Sequence, residues 1–150
     1  MFRKFCFLLI LTLSVSACKK EEQLGVGRYG MLDDGTPQYT AVRFMQSLYH
    51  DENIDNVLAL SSERMKRVLK RYHTNRNVQR HVMNLMYDTV EVSPEGSDGV
   101  GRSEFSKEAT VILFFSGHYN EDKIDDIRTI EMVKVDGDWK VDRIQPDRFL

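Results

Sequence analysis

Two features of this 150-residue chain carry chemistry by their residue types and spacing: one cysteine and one dense run of cations. Cys18 stands directly after Val15-Ser16-Ala17. A cysteine thiolate is the nucleophilic form of the side chain, so a cysteine at such a point can be covalently modified. Arg3 and Lys4 precede an apolar run from Phe5 to Val15, and small residues close it. That order is the charged, apolar and small-residue pattern of a secretory leader. From Phe5 to Ala17 the run has about 13 residues, whereas a membrane span needs roughly 20. Lys19, Lys20, Glu21 and Glu22 follow at once, so the run cannot be extended. The second feature comprises Arg64, Lys66, Arg67, Lys70, Arg71, Arg76 and Arg80, with Glu63 as the one acid and His73 and His81 added. Such a run can meet lipid phosphates, lipopolysaccharide or an acidic partner, and Lys66, Arg67, Lys70 and Arg71 are the candidate anionic contacts. It can equally be the wet face of a helix, because Met65, Val68, Leu69 and Tyr72 take one side and leave the cations the other.

Other chemistries leave little trace. His73 and His81 are eight apart, with neither a Cys partner nor a His-x3-His pair, so no metal site is expected. His118 precedes Tyr119-Asn120-Glu121-Asp122, but the Asp-x-Asp-x-Asp-Gly pattern of a calcium loop is missing, and a solvated turn is the expectation. No Ser-His-Asp set, phosphate loop or zinc signature is legible, and no cofactor is expected. Formal net charge is −2, which does not suggest nucleic acid as a partner. The only cysteines are Cys6 and Cys18. Cys6 lies in the leader, so an exported domain would have to rely on its core rather than on disulfides.

The elements that must position these residues follow from periodicity. Residues 1–17 read as the leader and 18–35 as a tether, polar and holding Gly25, Gly27, Gly30 and Gly35. About 17 flexible residues would span roughly 20–25 Å. Thr36-Pro37 looks like a helix start, with Thr36 as N-cap and Pro37 in the first helical position. Ala41, Val42, Met45, Leu48 and Tyr49 then recur at helical spacing. His50-Asp51-Glu52-Asn53 ends that helix, and a short second one carries Ile54, Val57, Leu58 and Leu60. Ser61 or Ser62 caps a third. The chain breaks around 74–77, and Val78, Val82, Leu85 and Met86 continue the apolar spacing. After Tyr87 the period changes to alternation over 89–92, stopped by Pro94. A glycine-containing loop over 95–103 follows. The segment 108–115 is a strand apolar on both faces toward its end, and 124–135 is a third strand. Asp136-Gly137 fits a tight hairpin turn into 139–142, where Trp139 and Val141 share a face. Helical segments followed by four antiparallel strands read as α+β, with one face of a curved sheet packed on the helices.

Val15-Ser16-Ala17-Cys18 resembles the lipobox of bacterial lipoproteins, in which an aliphatic and two small residues precede the modified cysteine. The resemblance implies a diacylglycerol on the Cys18 sulfur, cleavage just before it and acylation of the new amine. One chain holds only marginally at about 0.8 kcal/mol per buried methylene, so two or three chains would make a stable anchor. In enteric-type sorting, Lys19 in place of Asp implies an outer-membrane address, facing the periplasm. The membrane lipid is then the first partner, and another envelope protein the second.

The element order, with Val135-Asp136-Gly137-Asp138-Trp139-Lys140-Val141-Asp142 as closing hairpin, resembles the nuclear-transport-factor-2-like (NTF2-like, cystatin-like) α+β cone over about residues 36–146. Residues 36–150 are therefore expected to form one such domain: N-terminal helices packed on a curved four-stranded antiparallel sheet. Some members of that superfamily are enzymes that use an acid or base and hydroxyl donors inside the cone. Here Tyr39, Tyr49, Tyr87, Asp88 and His118 are the candidate pocket residues. No spacing reproduces an enzymatic member's motif, so no catalytic residue carries over. Asp88, at a helix-to-strand junction, fits a turn. The tyrosines fit core positions with the hydroxyl at an edge. The expected role is a non-enzymatic, membrane-anchored binding or assembly-accessory lipoprotein. The alternative is a small-ligand carrier or enzyme that uses the cavity of the cone. A cone filled by Phe, Met and Leu favours the first, and an apolar pocket with convergent polar groups favours the second.

Overall fold

Helix α1 spans Pro37–His50, and its start is fixed by local chemistry. Thr36 has extended backbone and its hydroxyl accepts from the Tyr39 amide at 3.2 Å. Pro37 supplies a ring where no amide is needed. The structure is a computed structural model that describes residues 34–95 and 106–145. The expected leader, Cys18 and the tether up to position 33 lie outside the described residues, as do loop positions 96–105 and the last five residues.

Short helices α2 (Asp55–Ala59), α3 (Glu63–Tyr72) and α4 (Asn75–Val78) follow, and α4 runs directly into a π-helical turn, Gln79–Met83. Ser62 is the N-cap of α3, and its hydroxyl accepts from the Met65 amide. The carbonyls in the last turn of a helix lack partners within the helix. In α1 two buried amides from later in the chain supply them. Asn75 donates through Nδ2 to the Ser47 carbonyl in that turn and to those of Asp51 and Asn53 just past it, and Gln79 donates through Nε2 to that of Leu48 at 2.7 Å.

Strands β1 (Thr89–Pro94), β2 (Glu108–Tyr119), β3 (Asp122–Val135) and β4 (Asp138–Ile144) form one antiparallel sheet in chain order. The expected turn is present: Asp136 and Gly137 have φ of 52° and 98°, the two positive values that a two-residue turn of this twist requires. Two strands run longer than alternation alone suggests. β2 continues to Tyr119 and β3 begins at Asp122, so the polar segment between them narrows to Asn120-Glu121. A bulge between Glu131 and Met132 shifts the β3–β4 register. The linker before α3 joins the sheet, because the Ser62 amide donates to the Val141 carbonyl and the Val141 amide to that of Leu60, both at 2.9 Å.

Inward positions of the strands, among them Val92, Leu113, Phe115, Ile130, Met132 and Val141, pack against Phe44, Met45 and Leu48 of α1 and Met65 and Leu69 of α3. Trp139 and Val141 are both buried, as their alternation requires. The architecture is α+β, with helices on one face of a four-stranded antiparallel sheet, consistent with an NTF2-like, cone-type fold. No described helix is long and apolar enough to cross a membrane.

Candidate functional site

The helix-covered side of the sheet brings two of the five candidate pocket residues together. Tyr49, from the last turn of α1, and Tyr87, just before β1, meet edge to face with ring centroids 5.6 Å apart. Phe115 completes the group, 6.1 Å from Tyr49 and stacked parallel to Tyr87. The Tyr49 hydroxyl donates to the Leu85 carbonyl at 2.9 Å and that of Tyr87 to the Ile124 carbonyl at 3.3 Å. Burial pushes the Tyr49 phenol well above its ordinary value, and the neighbouring Tyr87 adds to this. Burial, then the Asp126 carboxylate, pushes Tyr87 up to about 12. Both rings therefore stay neutral in ordinary buffers and act as hydrogen-bond donors.

The charges beside these rings are Asp126 and Arg128. They stand two apart on β3, so alternation turns both to the inner face. Arg128 is 3% exposed, pairs with the Asp126 carboxylate and reaches the carbonyls of Ile127 and Met83. The second of these bonds ties the end of the π-helical turn to the sheet, where a cation complements unpaired carbonyls. The pattern Ile124-x-Asp126-x-Arg128-x-Ile130 carried the signal for this pair. Asp126 belongs by sequence to an acidic cluster with Glu121, Asp122 and Asp125, which obscures its inward position.

Gly117 permits this packing. A Cβ there would run into the Thr89 carbonyl of β1 first, and would lie 2.8 Å from Cδ1 of Tyr87 and 2.9 Å from Cα of Val90, closer than real contacts allow. The absence of a side chain at this point of β2 lets both the β1 backbone and the Tyr87 ring come close.

Three other pocket candidates stand elsewhere. Tyr39 is half-buried in the first turn of α1. Asp88 is exposed and serves a turn: its Oδ2 accepts from the Asn120 amide at 2.7 Å, and its other oxygen lies 3.9 Å from Arg76. Arg76 also lies over the Tyr119 ring and donates to the Tyr87 carbonyl. His118 is exposed on the outer face of the sheet, opposite Thr89 and Lys123. Among the described residues, no group of three or more His, Cys, Asp or Glu is arranged to hold a metal ion.

Two surfaces remain. On the outer face of the sheet, Phe114 pairs directly with Ile127, and Ile112 stands two residues from Phe114 on the same strand. Ile112 and Phe114 are each 39% exposed and Ile127 is 51% exposed. Polar neighbours frame them: Ser116 beside Asp125, and Thr129 opposite Ile112. Hydrogen bonds from Ser116 and then Lys123 hold the Asp125 carboxyl below the usual range. The second surface is α3. Met65 and Leu69 are buried, Val68 and Tyr72 half-buried, and Glu63, Arg64, Arg67, Lys70 and Arg71 exposed. Arg64 pairs with Asp142 at 3.4 Å and Lys66 with Glu63 at 2.7 Å. The Lys66 hydrogen bond, then the charges of Lys66, Lys70 and Arg67, hold the Glu63 carboxyl below its ordinary range.

Comparison of the chain with protein-family models, with curated proteins and with solved structures found no match.

Proposed function

We propose that the protein is a membrane-anchored envelope lipoprotein whose domain is a non-enzymatic binding or assembly-accessory module. One observation carries the binding reading: apolar side chains fill the inner face of the sheet and also stand uncovered on its outer face. Phe44, Met45, Leu48, Leu113, Phe115 and Met132 occupy the interior. Both interior tyrosine hydroxyls already donate to main-chain carbonyls, and Asp126 and Arg128 pair with each other. A ligand there would have to displace bonds already made, and an unmade buried bond costs about 1–3 kcal/mol. The outer face offers Ile112, Phe114 and Ile127 with polar neighbours, the composition of an interface core with its rim. The anchor rests on Val15-Ser16-Ala17-Cys18, and Lys19 supports an outer-membrane address facing the periplasm.

Two experiments test this reading. Metabolic labelling with a fatty acid should mark the wild type and not Cys18→Ser; label that survives the substitution ends the anchor reading. A partner co-purified from detergent-solubilised envelope and identified by mass should be retained by Tyr87→Phe and lost by Phe114→Ser. The reverse pattern would favour a small-ligand carrier or enzyme that uses the interior.

A further inference from the structure

We propose that the exposed face of α3 rests on the anionic phospholipid headgroups of the membrane that holds the anchor, so that the outer sheet face looks away from that membrane. The inference rests on the anchor reading. Of the five cations on α3, Arg64 and Lys66 have carboxylate partners within 4.0 Å, while Arg67, Lys70 and Arg71 are exposed and have no such pair among the described residues. They stand at i, i+3 and i+4, so one helical face carries all three. No fully exposed apolar side chain accompanies them; Val68 and Tyr72 are half-buried against the core. The exposed positions of α3 are Glu63, Arg64, Arg67, Lys70 and Arg71, and its apolar residues Met65 and Leu69 are spent on the core. Protein partners are gripped by aromatic or aliphatic anchors, and the fully exposed positions of this face are all charged. A layer of headgroup phosphates needs no such anchor, because it presents charge without pockets.

Two further facts favour a membrane. An anchor at Cys18 and a tether to Thr36 of about 17 residues would keep the domain within roughly 20–25 Å of the surface. A weak contact then suffices, because tethering raises the effective concentration of headgroups. The direction also fits. The helices lie on the inner face of the sheet, and the cations point away from the buried stripe of α3. Ile112, Phe114 and Ile127 lie on the opposite side of the sheet. A domain resting on α3 therefore leaves its apolar sheet face open to a partner in the periplasm.

Trp139 is the only tryptophan in the chain and sits on β4, against which α3 packs, so it serves as an intrinsic donor. The acylated full-length protein is reconstituted in vesicles that carry a lipid-borne acceptor. Energy transfer from Trp139 should be higher in vesicles containing phosphatidylglycerol than in phosphatidylcholine alone. The excess should vanish as salt rises, since exposed charges are screened over about 8–10 Å. Arg67→Gln/Lys70→Gln/Arg71→Gln should abolish the excess with an unchanged denaturation midpoint. At roughly fivefold per cation, the equilibrium between resting and free domain should fall on the order of 100-fold. Equal transfer in both lipids, or a triple variant that behaves as wild type, overturns the inference. Should Cys18 carry no acyl chain, the anchor reading fails separately. Co-sedimentation of the unacylated full chain with the same vesicles then decides the inference: salt-sensitive binding lost in the triple variant supports it, and no binding overturns it.

Discussion

Phe114 and Phe115 are adjacent in sequence and sit in opposite environments. Phe115 is fully buried against Tyr49 and Tyr87, while Phe114 is 39% exposed and faces Ile127 across the strand pair. The same contrast holds along β2, where Val111 and Leu113 point inward and Ile112 points out. An inward apolar side chain is explained by the core it completes. An outward one gains little from folding, so its apolar character calls for something outside the fold. The two faces of one strand therefore separate what holds the protein together from what it offers to a partner.

Phe115→Ala is the hardest test of this contrast. It should cost about 3–5 kcal/mol, as removal of a fully buried ring does. Phe114→Ala should cost less than about 1 kcal/mol, the worth of one cross-strand pair. Denaturant midpoints measured side by side check this, and equal losses would break the comparison. Gly117→Ala acts on the inner face from the backbone. The added methyl meets the Thr89 carbonyl, then Tyr87 and Val90, so a loss of about 1–3 kcal/mol is expected. A neutral result would mean that neither β1 nor Tyr87 needs the close approach.

Alkaline titration sharpens the picture of the interior. The Tyr87 phenol is raised to about 12 in the folded protein, against about 10 for a free tyrosine. Its contribution to stability is then complete below pH about 10 and is lost as pH rises toward 12. Phenolate absorbance should show a late-ionising component that shrinks in Tyr87→Phe. Ionisation of all tyrosines together near pH 10 would contradict the buried cluster. The smallest stability effects belong to the outer face: Ile112→Ser and Ile127→Ser should each move stability by about 0.5 kcal/mol or less. Melting curves check that, and a large loss would assign these residues to the fold.

Much of this division is legible in the residues themselves. Thr36-Pro37, Asp136-Gly137 and the spacing of Trp139 and Val141 locate a helix start, a hairpin and a buried strand face, because each rests on chemistry within a few residues. The doubly apolar end of 108–115 is legible too, but that one of its faces stays outward emerges only when the helices cover the other. What stays hidden depends on distant contacts. Asn75 and Gln79 look like surface amides until α1 presents its carbonyls to them. Alternation over 124–130 already puts Asp126 and Arg128 on one face with Ile124 and Ile130, but their membership of a charged cluster hides that this face is the inner one until the helices pack on it. Asp88 is closer in sequence to Tyr87, yet its carboxylate caps a turn.

The central claim is that the outer sheet face, rather than the interior, is where the protein meets its partner. Site-specific photocrosslinking in intact envelopes tests it most directly. A photoreactive residue placed in turn at Ile112, Phe114 and Ile127 should give the same discrete adduct, whose second component is identified by mass. The exposed positions Thr74 and Asn77 should give none. No adduct from the three sheet positions, or the same adduct from Thr74 and Asn77, would contradict the account.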